Sequence, residues 1–100
     1  MKIVAVTSCP TGIAHTYMAA AQLEKTAKKL GHTIKVETQG SMGIENELSH
    51  TDIEAASAVI FAVDVAVRNK ERFEGKKIVE VSVQEAIKNA EAVFARLGTP

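Results

Sequence analysis

The sequence predicts an α/β fold: an open, four-stranded parallel sheet with helices on both faces and a phosphate-binding loop after the first strand. Two observations predict the sheet. Short apolar segments alternate along the chain with segments of helical periodicity, and two of the apolar segments are continuous. Strands that alternate with helices indicate parallel pairing through right-handed crossovers. A continuous apolar strand indicates burial on both faces of the sheet.

The same patterns predict the order of the strands. The first strand covers residues 2–7, in which residues 3–6 are all apolar, and the third covers residues 58–63. The second strand, 33–39, and the fourth, 77–81, alternate more between apolar and polar residues. Continuous strands belong in the middle of a sheet and alternating strands suit its edges. We therefore predict the order 2-1-3-4.

Three helices complete the predicted fold. The first begins at residue 13 and ends before Gly31, because its apolar residues recur at helical spacing. A short second helix is predicted to begin at Thr51, where residues 51–54 have the form of a capping box. Ser82 begins a second capping box, which opens a helix whose apolar stripe continues to Leu97.

Residues 9–16, Cys-Pro-Thr-Gly-Ile-Ala-His-Thr, join the first strand to the first helix and contain the chain's one cysteine. Backbone N–H groups at a helix N-terminus lack partners within the helix, and the helix dipole adds positive charge there. A thiolate on Cys9, or a phosphate carried on it, would be stabilised by such a loop. The predicted phosphate-binding residues are Pro10, Thr11, Gly12, Ile13, Ala14, His15 and Thr16.

Alternatives remain for several of these residues. Cys9 would be a small buried hydrophobe in the simplest interpretation, but its polar, turn-forming setting favours a reactive thiol. His15 is equally consistent with a phosphate donor and with a structural donor. Asp64 follows the third strand and fits either a general acid or a turn former or helix cap. Gln39 and Ser41, after the second strand, are placed to border the site.

The strand order places a topological switch point between the first and third strands. Ligands of open α/β sheets bind at the carboxyl ends of the strands beside that point. Cys9 and Asp64 follow those two strands. The strand order and the cysteine loop therefore predict the same site. Residues 68–72 are rich in charge, which suits either an acidic partner or a solvated connection, and we favour the solvated connection.

Residues 9–20, Cys-Pro-Thr-Gly-Ile-Ala-His-Thr-Tyr-Met-Ala-Ala, resemble a known signature. It is the phosphorylation site of fructose-type enzyme IIB components of the bacterial phosphoenolpyruvate-dependent sugar phosphotransferase system. Residues 37–41, 62–67 and 71–73 match the same family, and the resemblance covers essentially the whole chain. It implies that Cys9 takes phosphate from a phosphohistidine on a IIA partner and passes it to fructose, or a related sugar, held by a membrane IIC partner.

Composition agrees with this assignment. One hundred residues suit a single IIB domain over 1–100, and twelve basic residues balance twelve acidic ones, so net charge favours neither nucleic acid nor a membrane surface. No apolar segment approaches the roughly 20 residues that span a bilayer. We expect a cytoplasmic protein, held at the inner face of the membrane through IIC. One cysteine and three scattered histidines predict no metal, and no cofactor is expected.

Two other classes of protein share part of this pattern. A low-molecular-weight tyrosine phosphatase also has a cysteine loop after its first strand, but its Cys-x5-Arg pattern requires arginine where this chain has His15. It also requires an Asp-Pro acid, and the only prolines are Pro10 and Pro100. A non-catalytic anion-binding module needs only the loop and stays open at this level.

Overall fold

The computed structural model describes residues 1–9, 13–40 and 43–97, in which five strands form one sheet. The strands are β1 (Lys2–Ser8), β2 (Thr33–Gly40), β3 (Gly43–Glu45), β4 (Ala58–Val63) and β5 (Ile78–Val81). The helices are α1 (Ile13–Lys29), α2 (His50–Ala55), α3 (Val83–Lys88) and α4 (Ala90–Ala95), with a short 3-10 helix at Lys70–Phe73. Within the described residues, no helix is long and apolar enough to cross a membrane.

The sheet has the order β3-β2-β1-β4-β5. Strands β2, β1, β4 and β5 are parallel, which confirms the predicted order of the four parallel strands. The prediction that the sheet has four strands, all parallel, was wrong. β3 pairs antiparallel with β2, with Gly40 opposite Gly43, and makes the sheet mixed. Gly43 has a positive φ of 97° and begins the strand that folds back on β2.

Helices cover both faces of the sheet, as predicted. Ile3 and Ala5 of β1 pack in one core with residues of α1, α3 and α4. Val4 and Val6 point to the opposite face and pack in a second core with α2, the 3-10 helix and Leu48. All residues of β1 after Lys2 are buried. The continuous apolar sequence of β1 thus corresponds to a central strand between two cores.

β2 differs from the predicted edge strand along half of its length. Its first three residues are exposed or half-buried, in keeping with an edge, but the four residues from Val36 to Gln39 are buried. β3 lies beside this second half and supplies the hydrogen bonds that an edge would lack. Polar residues in the second half are buried because the protein supplies partners for most of them.

The helix termini follow capping rules with two corrections. The capping box of α2 begins two residues earlier than predicted, at Ser49 rather than Thr51: Ser49 Oγ accepts from the Asp52 amide, and Asp52 Oδ2 accepts from the Ser49 amide. Ser82 caps α3 as predicted, its Oγ accepting from the Glu85 amide. The predicted continuous last helix is two helices, interrupted at Asn89, whose φ of −146° is not helical.

A buried ion pair joins β2 to the 3-10 helix. The Glu37 side chain is fully buried, and both of its oxygens accept from the Arg72 guanidinium at 2.9 Å. Oε1 also accepts from the Leu48 amide at 2.9 Å, and Oε2 from Gln39 Nε2 at 2.7 Å. Burial alone would raise the pKa of Glu37, but these hydrogen bonds outweigh it and hold that pKa below its ordinary value. The solvated charged connection expected at residues 68–72 is therefore wrong for Arg72.

We predict that Glu37→Gln lowers the free energy of unfolding at pH 7 by about 3 to 5 kcal/mol, because it leaves a half-buried guanidinium without its counter-charge. Since folding lowers the pKa of Glu37, its stabilisation is fully present above the unfolded-state pKa of about 4.3 and is lost as pH falls through the folded pKa. The difference between wild type and variant, from urea denaturation, should therefore shrink below about pH 4.

The exposed Glu24 of α1 provides the matched control. Glu24→Gln makes the same chemical change without breaking a buried pair, and its effect should lie within about 0.5 kcal/mol. A Glu37→Gln effect of constant size from pH 7 to pH 3 would contradict the assignment of this ion pair.

Candidate functional site

Cys9 and Asp64 lie side by side at the carboxyl edge of the sheet, as the strand order predicts. Ser8 of β1 is in register with Val63 of β4, and the next residues are Cys9 and Asp64. The Asp64 amide donates to the Ser8 carbonyl at 3.0 Å, which carries the pairing one step beyond the strands. The two residues that sequence analysis placed at the switch point are therefore held together by the backbone.

Two threonines connect Cys9 to the start of α1. The Cys9 amide donates to Thr16 Oγ1 at 3.1 Å, and Thr7 Oγ1 donates to the Thr16 carbonyl at 3.2 Å. Thr7 and Thr16 are both buried, while Cys9 is half-buried against the core that α1 covers. A hydroxyl can accept and donate at the same time, so this bond does not test whether Thr16 binds phosphate, and that role stays a prediction.

The N-terminus of α1 faces this part of the sheet edge. Pro10, Thr11 and Gly12 lie outside the described residues, and α1 begins at Ile13. Ala14 and His15 are exposed in the first turn, and no acidic residue occurs there. The positive end of the dipole of this 17-residue helix is thus not neutralised by a carboxylate of its own first turn. An anion beside Cys9 would benefit from that end.

Asp64 supports the neighbouring helix. Its Oδ1 accepts from the amide of Val83, the first residue of α3, at 3.3 Å. This contact matches the capping alternative offered for Asp64. The carboxylate ties the end of β4 to the start of α3, and it does so from an exposed position beside Cys9.

Gln39 contacts a different part of the site than expected. Its side chain is buried and bonds the backbone of Arg68 through both of its polar atoms, at 2.8 and 3.1 Å. It therefore holds the segment that follows β4. Ser41, the other residue predicted to border the site, lies outside the described residues.

Sequence reasoning missed Thr7, Glu37 and Arg72 as parts of this region. Thr7 is the last residue of a predicted buried strand, and only its contact with α1 shows its role. Glu37 belongs to an alternating segment, in which a charge is normally exposed. The one signal was that residues 37–41 and 71–73 both belong to the family resemblance.

Exposed apolar side chains surround the same edge. Tyr17 and Met18 in the second turn of α1 are 41% and 49% exposed, and Val65 beside Asp64 is 40% exposed. The Tyr17 hydroxyl donates to Glu45 of β3 at the surface.

Comparison with known proteins supports the resemblance. A family model described as "PTS system, Lactose/Cellobiose specific IIB subunit", where PTS is the phosphotransferase system, matches residues 4–96. The chain belongs to this IIB family. It is 51% identical over 96 residues to the "PTS system fructose-like EIIB component 2" of Escherichia coli K12, covering 96% of this chain and 91% of the relative.

Two further relatives contain the IIB component within a larger protein. The crystal structure of a domain from a fructose-specific IIABC component of Borrelia burgdorferi is 53% identical, with a TM-score of 0.92, and covers 96% of this chain and 91% of that one. The "Fructose-like PTS system EIIBC component" of Escherichia coli K12 is 52% identical, and the match covers 99% of this chain and 21% of that relative.

The resemblance to fructose-type IIB components is thereby confirmed. As such a component the protein is a phosphotransferase, and it carries phosphate during sugar uptake. The mixed five-stranded sheet is the scaffold of this IIB component.

We predict that Thr16→Val lowers the free energy of unfolding by about 1 to 3 kcal/mol, because the Cys9 amide loses its acceptor in a part-buried place. Chemical denaturation measures the loss. Thr26→Val is the control, since Thr26 is a buried threonine of the same helix at 7% exposure, far from Cys9. Equal effects of the two substitutions would show that the Thr16 hydroxyl does not hold Cys9.

Proposed function

We propose that Cys9 carries the phosphate in this IIB component. Cys9 accepts it from a phosphohistidine of a IIA partner and gives it to a sugar, fructose or a related one, held by a IIC partner. The observation that carries the proposal is the position of Cys9, whose amide is fixed to the first turn of α1 at the carboxyl end of the central strand. At that position we expect the backbone N–H groups and the positive dipole of the helix N-terminus to stabilise negative charge on the sulfur.

The chemistry consists of two phosphoryl transfers. In the first, the Cys9 thiolate attacks the phosphorus of the phosphohistidine, so an S–P bond forms and the N–P bond of the histidine breaks. In the second, a sugar hydroxyl attacks the same phosphorus, loses its proton, and releases the thiolate as the S–P bond breaks. Division into two steps is the advantage of covalent catalysis. Backbone N–H groups at the start of α1 would stabilise the phosphoryl oxygens in both steps.

The partners follow from the fusions seen in relatives. The names EIIBC and IIABC show IIB joined to IIC and to both IIA and IIC in those proteins. We assign the same two partners to this chain, with IIC holding it at the inner face of the membrane. Tyr17, Met18 and Val65 offer exposed apolar contacts around Cys9, as a protein that docks over the site would require.

The site favours a carrier over a phosphatase. No arginine follows Cys9 at the spacing that a phosphatase loop needs, and His15 stands there instead, exposed to solvent. Asp64, the acidic residue nearest along the sheet edge, uses one oxygen to bond the α3 amide. Attack by water is therefore poorly supported, whereas an acceptor positioned by a partner gains its rate from proximity.

We predict that Cys9→Ser folds normally and accepts no phosphate, because the serine hydroxyl is a far weaker nucleophile than a thiolate. The assay supplies labelled phosphoenolpyruvate, the general phosphotransferase proteins and a set of IIA proteins, and follows label on this chain. A double variant, Cys9→Ser with Ser57→Cys, is the control, since Ser57 is an exposed residue just before β4. Label on either variant equal to that of wild type would refute the role of Cys9.

We predict that the isolated phosphoprotein loses phosphate slowly in buffer and quickly when mixed with vesicles that contain the matching IIC and sugar. The physical reason is that no arginine follows Cys9 at the phosphatase spacing and one Asp64 oxygen is bonded to α3, so transfer depends on a hydroxyl positioned by a partner. Decay of the label is followed in both conditions, with vesicles lacking sugar as the control. Loss that is equally fast in buffer alone would identify a phosphatase.

A further inference from the structure

The segment 64–68 crosses the end of the central strand beside Cys9. At its start, the Asp64 amide bonds the Ser8 carbonyl of β1. At its end, the Arg68 backbone bonds Gln39 of β2. Because β1 lies between β4 and β2, a segment that leaves β4 and reaches β2 passes the carboxyl end of β1. It therefore forms one wall of the candidate site.

Gln39 binds this wall as a neighbouring strand would. Its Oε1 accepts from the Arg68 amide at 2.8 Å, and its Nε2 donates to the Arg68 carbonyl at 3.1 Å. One side chain thus satisfies both backbone groups of one residue in a segment that belongs to no strand or helix. The Gln39 side chain is itself only 2% exposed, so its bonds are shielded from competing water.

The orientation of the Gln39 carboxamide is determined by the buried ion pair. Glu37 Oε2 accepts from Gln39 Nε2 at 2.7 Å, and a carboxylate can only accept. The nitrogen must therefore face Glu37, which leaves Oε1 for the Arg68 amide. Arg72 holds Glu37 through both oxygens and also donates to the Arg68 carbonyl at 3.3 Å.

We infer that Gln39 is a positioning residue for phosphoryl transfer: its carboxamide, oriented by Glu37 and Arg72, clamps segment 64–68 across the end of β1 beside Cys9. The inference rests on the proposed function. Asp64, Val65 and Ala66 of the segment are exposed at the site, where the phosphorylated donor must dock. With the clamp, the donor meets a wall that is already in place. Without it, only a fraction of the molecules presents the competent arrangement, and the apparent affinity for the donor falls by that fraction.

The test is Gln39→Met, which keeps the length of the side chain and removes all of its hydrogen bonds. Initial rates of Cys9 phosphorylation are measured against the concentration of the phosphorylated IIA protein that labels wild type. We expect KM for that donor to rise about tenfold while kcat stays within about twofold, because a saturating donor selects the competent arrangement. Lys35→Met is the control, since it breaks the Lys35–Asp52 ion pair of the same strand away from the segment.

An unchanged KM, a fall in kcat at constant KM, or an equal rise of KM in Lys35→Met would each overturn the inference. A fall in thermal stability without a change of KM would also overturn it, because it would make Gln39 a purely structural residue. If no IIA protein labels Cys9 of the wild type, the proposed function fails. If labelling is normal and KM is unaltered in Gln39→Met, the clamp alone fails.

Amide hydrogen exchange tests the clamp in the wild-type protein, without dependence on any variant's folding. The Arg68 residue is exposed, yet its amide should exchange about a hundredfold or more slowly than in an unfolded chain, because it donates to a buried oxygen. In Gln39→Met this protection should be lost, and in Lys35→Met it should be kept. Rapid exchange of the Arg68 amide in wild type would overturn the inference even if Gln39→Met does not fold.

Discussion

Burial of β1 on both faces is the constraint from which the site follows. Its residues from Ile3 to Ser8 are buried, and both of its edges pair with parallel strands. A strand held in this way has no freedom to shift its register, because a slip of one residue would exchange the two cores. The first residue after the strand therefore lies at a defined position at the sheet edge. That residue is Cys9, and its chemistry depends on this placement.

The end of β1 is supported differently on its two sides. On the side of α1, Thr7 and Thr16 connect the strand, the Cys9 amide and the first helical turn by neutral hydrogen bonds. On the other side, a charged group, the Glu37–Arg72 pair, orients Gln39 against segment 64–68. The buried Glu37 carboxylate is tolerated there because each of its four hydrogen bonds is 2.9 Å or shorter. Both supports hold backbone groups of the segments that meet at the end of β1.

Buried supports beneath an exposed sheet edge suit a protein that must pass one phosphate between two other proteins. In the proposed function Cys9 reacts at this edge of the sheet, and apolar Tyr17, Met18 and Val65 are exposed on the elements that follow Cys9 and Asp64. Retention of phosphate on Cys9, as proposed, would then require that the site does not activate water. His15 in place of an arginine, and an Asp64 engaged with α3, agree with that requirement.

The sequence by itself determined the order of the four parallel strands, the position of Cys9 after β1 and the proximity of Cys9 to Asp64. These features depend on local periodicity and on the switch point, which a pattern of apolar residues reports directly. The family followed from residues 9–20, because a long motif centred on the cysteine is specific. Tertiary structure alone decided the antiparallel β3, the break at Asn89, and the partners of Glu37, Gln39 and Arg72. Glu37 and Arg72 are 35 positions apart in the chain. The local sequence around either residue therefore predicts neither its burial nor its pairing. A charged residue in an alternating strand is predicted to be exposed to solvent. Only the folded structure shows that its counter-charge lies beside it.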